Sequence, residues 1–229
     1  MSSKLIIALD FQTAEQALKF VRPLSPDLCK LKVGFELFVA AGPDFVRQLV
    51  DQGYDVFLDL KFHDIPNTVA SACRSAAKLG VWMMNVHAGG GDKMMTAAKQ
   101  ALVDCNSDAK LIAVTVLTSM DDDQLKKVNI QSPAEEQVKH LAKLTQESML
   151  DGVVCSAQEA KALRETLGEE FLLVTPGIRP QGVEAGDQSR IMTPFKAKRV
   201  GVSYIVVGRP ITQSDKPLDV IDAINIDMA

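Results

Sequence analysis

Short, unbroken apolar runs alternate along the chain with segments whose apolar residues recur at helical spacing. The runs are LIIALD (5–10), CKLKVG (29–34), YDVFLDL (54–60) and VWMMNVHA (81–88), then KLIAVTVL (110–117), GVVCS (152–156), FLLVTPG (171–177) and YIVVG (204–208). Continuous apolar character, rather than strict alternation, suits strands buried on both faces of a parallel sheet. Between them lie AEQALKFV behind Thr13, a capping residue, and GPDFVRQLVDQG, which stops at Gly53. NTVASACRSAAKLG, DKMMTAAKQALV, AQEAKALRETLG and KPLDVIDAI continue the alternation. So does SPAEEQVKHLAKLTQESML, with Pro133 where a first helical residue is tolerated. Eight strand–helix alternations in 229 residues predict an α/β fold, a (β/α)8 TIM barrel forming one domain over 1–229. An open doubly wound sheet fits less well. The first strand runs into DFQTAE, not the glycine-rich turn of a dinucleotide fold.

Composition narrows the function without naming it. With 47% hydrophobic and 24% charged residues the chain is of ordinary globular type, and its net charge of −4 offers no footprint for nucleic acid or an anionic membrane. The four cysteines, Cys29, Cys73, Cys105 and Cys155, are widely spaced and read as small buried hydrophobes rather than a disulfide or zinc framework. The run in MSSKLIIALD is too short for a signal peptide, and nothing approaches the roughly 18 apolar residues of a membrane span. The expectation is a cytoplasmic protein.

In a barrel, function gathers at the C-terminal ends of the strands. Polar residues stand at nearly every such end: Asp10, Lys32, Asp59 with Lys61, Asn85 with His87, Thr118 with Ser119, and Arg209 behind Gly208. Asp59 and Lys61 are two apart, so on an extended strand they share a face, and Lys32 on the neighbouring strand reaches the same space. Opposite charges at about 4 Å attract by roughly 4 kcal/mol at an effective dielectric near 20. A Lys-Asp-Lys row of this kind holds both lysines protonated and fixed, as a proton donor requires. The alternative is a structural ion network plugging the barrel mouth. Asp64 lies beyond the strand, able either to cap the following helix or to touch a ligand, and His63 faces away from the row. The loops after strands seven and eight, TPGIRPQGVEAGDQSR and VVGRPITQS, carry Arg179 and Arg209. Two arginines in these two loops point to a phosphate site.

IIALD, KLKVGFELF, DLKFHDIPNT, the LTS after strand five, TPGIRPQG with GDQSR, and VVGRPI, in this order, resemble the orotidine 5′-phosphate decarboxylase family over essentially the whole chain. The resemblance implies a cofactor-independent enzyme that converts the small-molecule nucleotide orotidine 5′-phosphate to UMP, with no metal. By the same resemblance Lys61 protonates C6 of the pyrimidine, Asp59 sits beside the departing carboxylate, and Lys32 flanks it and contacts the ribose. Asp64 and Thr68 serve the active site of the other subunit in a homodimer. Asp10 binds a ribose hydroxyl, Thr118 and Ser119 lie against the base, Gln188 bridges base and phosphate, and Arg179, Gly208 and Arg209 grip the phosphate. Two rivals remain: a metal-dependent sugar-phosphate decarboxylase of the same barrel superfamily, and a non-catalytic nucleotide-binding module. The metal-dependent branch carries a metal-binding glutamate where this chain has Lys32, and a protonated lysine cannot ligate a divalent ion.

Overall fold

The apolar runs become strands because each buries both faces. In the computed structural model, which describes residues 3–180 and 192–229, eight parallel strands close into a barrel in chain order. They are β1 (Leu5–Ala8), β2 (Lys30–Gly34), β3 (Val56–Phe62), β4 (Met83–His87), β5 (Lys110–Val114), β6 (Gly152–Val154), β7 (Leu172–Thr175) and β8 (Tyr204–Val207). Alternate side chains part ways. Leu31, Val33, Met84 and Val86 join the large outer core under the helices, while Ile6, Phe57, Met83, Ile112 and Val174 fill the barrel. Strands β1, β5, β6 and β7 end two or three residues before their apolar runs do, because the rim residues leave the ladder for the loops, whereas β3 runs two residues past its own.

The helices between the strands are α1 (Ala14–Val21), α2 (Phe35–Asp51), α3 (Pro66–Ala77), α4 (Gly91–Asp104), α5 (Asp122–Lys127) and α6 (Ala134–Glu147). After β6 follow α7 (Ala160–Leu167), α8 (Pro194–Arg199), the single turn α9 (Arg209–Thr212) and α10 (Pro217–Met228). The Thr13 hydroxyl caps α1 by accepting from the Gln16 amide at 3.3 Å. Helix α2 starts seven residues before the expected Gly42. Gly42, with φ 72°, is instead a kink inside it, and Pro43 opens its second half. FELFVAA carries too few polar residues to stand out from β2 as a separate amphipathic turn. Pro133 caps α6 from one position outside the helix rather than forming its first residue.

Both lysines of the β2 sequence KLK point into the barrel, one toward each end. Lys30, 4% exposed, closes the N-terminal end: its ammonium lies 4.6 Å from the centroid of the Trp82 ring, is 5.9 Å from that of Tyr204 and pairs with Asp55. Cys29, Cys73 and Cys155 are buried, and burial pushes the Cys29 and Cys73 thiols up to about 12, where they are inert. Among the described residues no helix is long and apolar enough to cross a membrane.

Candidate active site

At the C-terminal mouth, strand register and a bulge in β3 set four charges in a row. Gly34 of β2 pairs with Asp59 of β3, and Ala8 of β1 pairs with Lys32, so Asp10, Lys32 and Asp59 rise side by side. The Lys32 ammonium lies 3.5 Å from Asp59 Oδ2 and 3.3 Å from Asp10 Oδ1, and the Lys61 ammonium lies 2.6 Å from Asp59 Oδ1. Asp59 is thus clamped between two cations, while Asp10 stands open to solvent. Gly34 makes room for this: a Cβ there would sit 3.0 Å from Lys32 Nζ. The Phe35 ring lies 5.0 Å from the Lys61 ammonium.

Lys61 does not reach Asp59 by simple strand alternation. Leu58 pairs with Met84 and Phe62 with Val86, so β3 spends four residues where β4 spends two. Lys61 sits in the resulting bulge with φ 45°, a left-handed conformation that a non-glycine residue adopts at a cost of about 1–3 kcal/mol. The surroundings hold it there. Its N–H donates to Asn85 Oδ1 at 2.8 Å, and Asn85 Nδ2 donates to Asp59 Oδ1 at 2.7 Å.

Burial alone would push the Asp59 carboxyl up. The charges of Lys32 and Lys61, with hydrogen bonds from Lys61 and Asn85, outweigh it and hold the group below the usual carboxylate range. His87 moves down, through burial and then the nearby charges of His63 and Lys61. The His63 ring stacks on His87 at 5.3 Å, and the His87 Nδ1 accepts from the Gly89 amide at 3.2 Å.

The row floors a cavity of about 180 Å³ whose walls include Phe57, Thr118 and Pro176. Ser119, expected beside Thr118, faces a separate hollow next to Asp121 and Lys126, because the chain turns sharply after Leu117. Across the mouth, Gly177 takes φ 78° and swings the chain inward, and Arg179 beyond it is only 8% exposed. The Arg179 guanidinium donates to the Ile178 carbonyl, and burial together with the charge of Arg209 lowers its pKa. Two guanidiniums from neighbouring loops, with the charge of Arg209 felt at Arg179, favour an anion between them. Gly208 lies against Asp10, with 3.5 Å from a Cβ built there to Asp10 Oδ2, which links the arginine side to the row. Gln188 falls outside the described residues.

Asp64 and Thr68 are exposed at the head of α3 and do not join the row of their own chain. The Asp64 carboxylate accepts from the Ile65 amide at 2.7 Å; it takes part in no salt bridge with Lys32 or Lys61. Sequence reasoning passed over two contributors. Asn85 was visible as a rim residue, but its double contact depends on a bulge that no residue pattern announces. Phe35 sat inside a run that looked merely apolar.

Comparison with known proteins places this geometry. The family model described as orotidine 5′-phosphate decarboxylase / HUMPS family matches residues 3–224. The orotidine 5′-phosphate decarboxylase of Pseudoalteromonas atlantica is 60% identical over 227 residues, covering 99% of this chain and 98% of the relative. That of Pectobacterium carotovorum is 56% identical over 229 residues, covering 100% and 93%. Among solved structures, the orotidine 5′-phosphate decarboxylase of Lactobacillus acidophilus superposes with a TM-score of 0.89 at 44% identity, covering 99% of each chain. That of Pyrococcus horikoshii superposes at 0.79 with 25% identity, covering 98% of each. Matched from end to end in sequence and in fold, the chain belongs to the orotidine 5′-phosphate decarboxylase / HUMPS family.

Proposed function

We propose that the chain decarboxylates orotidine 5′-phosphate to UMP, a step of pyrimidine biosynthesis, and that the charged row performs the chemistry without a cofactor. The observation that carries this reading is a largely buried carboxylate, Asp59, held between two lysine ammonium groups on the floor of the cavity. The C6–carboxylate bond breaks, CO2 leaves, and the electron pair remains on C6. The pyrimidine ring delocalises that pair poorly, so fixed positive charge must meet it as it forms. Lys61 gives its proton to C6, and the neutral amine regains one from water. Asp59 stands beside the leaving carboxylate and keeps both lysines charged and in place. Lys32 and Asp10, already joined at 3.3 Å, hold the ribose.

Thr118 bounds the base, and by the family resemblance Gln188 bridges base and phosphate. Arg179, Gly208 and Arg209 take the phosphate. Binding energy gained there, remote from C6, orders the site around the reacting bond. We further propose a cytoplasmic homodimer in which Asp64 and Thr68 complete the partner's row. Exposed Asp64 and Thr68 flank Ile65, which is 67% exposed, and Phe35, 53% exposed, lies over Lys61 on the same rim. These apolar groups at the mouth suit a surface that another subunit covers.

The direct test is spectrophotometric. The purified protein, treated with a chelator, is expected to bleach the orotate absorbance of orotidine 5′-phosphate and yield UMP. Turnover that the chelator abolishes would overturn this reading in favour of a metal-dependent relative, and UMP binding without turnover would leave a binding module.

A further inference from the structure

The Lys61 ammonium is aimed by a backbone that ought not to hold its shape unaided. In the bulge, β4 offers a single residue, Asn85, opposite the stretch from Asp59 to Lys61. The Lys61 N–H, turned out of the regular ladder by φ 45°, has no backbone carbonyl to meet and donates to the Asn85 side chain at 2.8 Å. The other end of that amide donates to Asp59 Oδ1 at 2.7 Å, the same oxygen that the Lys61 ammonium approaches at 2.6 Å. The side-chain orientation is fixed by its partners, since a flipped amide would set NH2 against N–H and oxygen against carboxylate. Asn85 is fully buried beside the cavity floor, inward-facing like Met83 two residues before it.

We propose that Asn85 is the positioning residue of the proton donor. One amide fixes both the bulged backbone of Lys61 and the carboxylate that orients its ammonium, and the inference rests on the decarboxylase reading above. An apolar residue of the same size would fill the space, but it would leave the Lys61 N–H without its acceptor and take one of two donors from Asp59 Oδ1. A glycine at position 61 would take the left-handed turn freely but would carry no ammonium. The pairing of a left-handed lysine with an inward asparagine is therefore the device that lets a strand end deliver a lysine at a fixed angle.

The charged groups facing this cluster are Lys32 from β2, Lys61 from β3, and His87 at the end of β4 with His63 stacked on it. Replacing Asn85 by aspartate keeps the size and the acceptor for Lys61 N–H but turns the donor toward Asp59 into a second carboxylate. Two carboxylates in contact share one proton. Once protonated, the introduced carboxyl can donate to Asp59 as the amide does. Asn85→Asp and Asn85→Ala, compared with the parent for kcat, KM and UMP affinity across pH, test the proposal.

Both variants are expected to lose roughly 100-fold or more in kcat near neutral pH, the scale of a misplaced catalytic group, with UMP affinity nearly kept. The deficit of Asn85→Asp is expected to narrow as pH falls, while that of Asn85→Ala does not. Retention of kcat by either variant would overturn the proposal. So would equal losses of kcat and UMP affinity with no pH dependence of the deficit, or failure of both variants to fold, which assign Asn85 to the barrel's stability alone. A parent protein without turnover removes the decarboxylase reading itself, and the parent measurement alone reveals that case.

Discussion

At Asp59 burial and neighbouring charge pull in opposite directions. Its carboxylate is 14% exposed, and an isolated charge at that depth would cost several kcal/mol without compensation. Lys32 and Lys61 supply that compensation, and the group stays ionised below the usual carboxylate range. The consequence for pH follows from the direction of the shift. A depressed carboxyl contributes stability that is complete above its unfolded value, near pH 4, and is lost as pH falls through the lower folded value. Chemical denaturation of the parent and of Asp59→Asn should therefore differ most above about pH 4, and the gap should close on further acidification. A gap independent of pH would contradict the assignment. The same direction puts any acid limb of kcat/KM that Asp59 sets in the free protein below the ordinary carboxylate range.

At the scale of elements, strand β2 does two jobs with one three-residue pattern. Lys32 faces the reacting end, and Lys30 plugs the opposite end against Trp82 and Tyr204. Its long stem packs as a hydrophobe and its charge meets aromatic faces and Asp55. Lys30→Ala is expected to lower unfolding free energy by about 2–4 kcal/mol through the cavity it leaves, while kcat stays at the parent value. A fall in kcat at unchanged stability would mean that the two ends of β2 are coupled. The two lysines also mark how far sequence reads. KLK states that both face one way, but which end of the barrel each reaches depends on register. Asp59 beside Lys32 was legible because both are inward-facing residues near the C-terminal ends of adjacent strands, although Lys32 pairs with Phe57 and reaches Asp59 only by the length of its side chain. Lys61 was placed on the correct side by the wrong rule, since the bulge and its left-handed turn depend on Asn85 from another strand. The early start of α2 was hidden because its first turn is as apolar as the strand before it.

The whole molecule divides its labour around one mouth: a charged row on β1 to β3, a wall from the β5 loop, and two arginines behind β7 and β8. Eight alternating units made that plan readable from the apolar pattern, and strand order follows from it because parallel neighbours need right-handed helical crossovers. The short helices α5, α8 and α9 were not readable, being too brief to show a helical period. Asp64 and Thr68 stand outside their own chain's row, which fits a site completed by a second subunit. Mixing Lys61→Ala with Asp64→Ala should restore activity, because one of the two sites in each hybrid dimer regains both residues. Absence of restoration despite demonstrated subunit exchange would contradict shared sites.

The proposed mechanism rests on proton delivery from Lys61 to C6 out of a fixed row. The most direct measurement is kcat for orotidine 5′-phosphate in Lys61→Ala, taken with the UMP dissociation constant of the same protein. Loss of a positioned proton donor should cost at least about 10²–10⁴-fold in kcat while UMP binding remains measurable. A Lys61→Ala protein that bleaches the orotate absorbance at the parent rate would contradict the account.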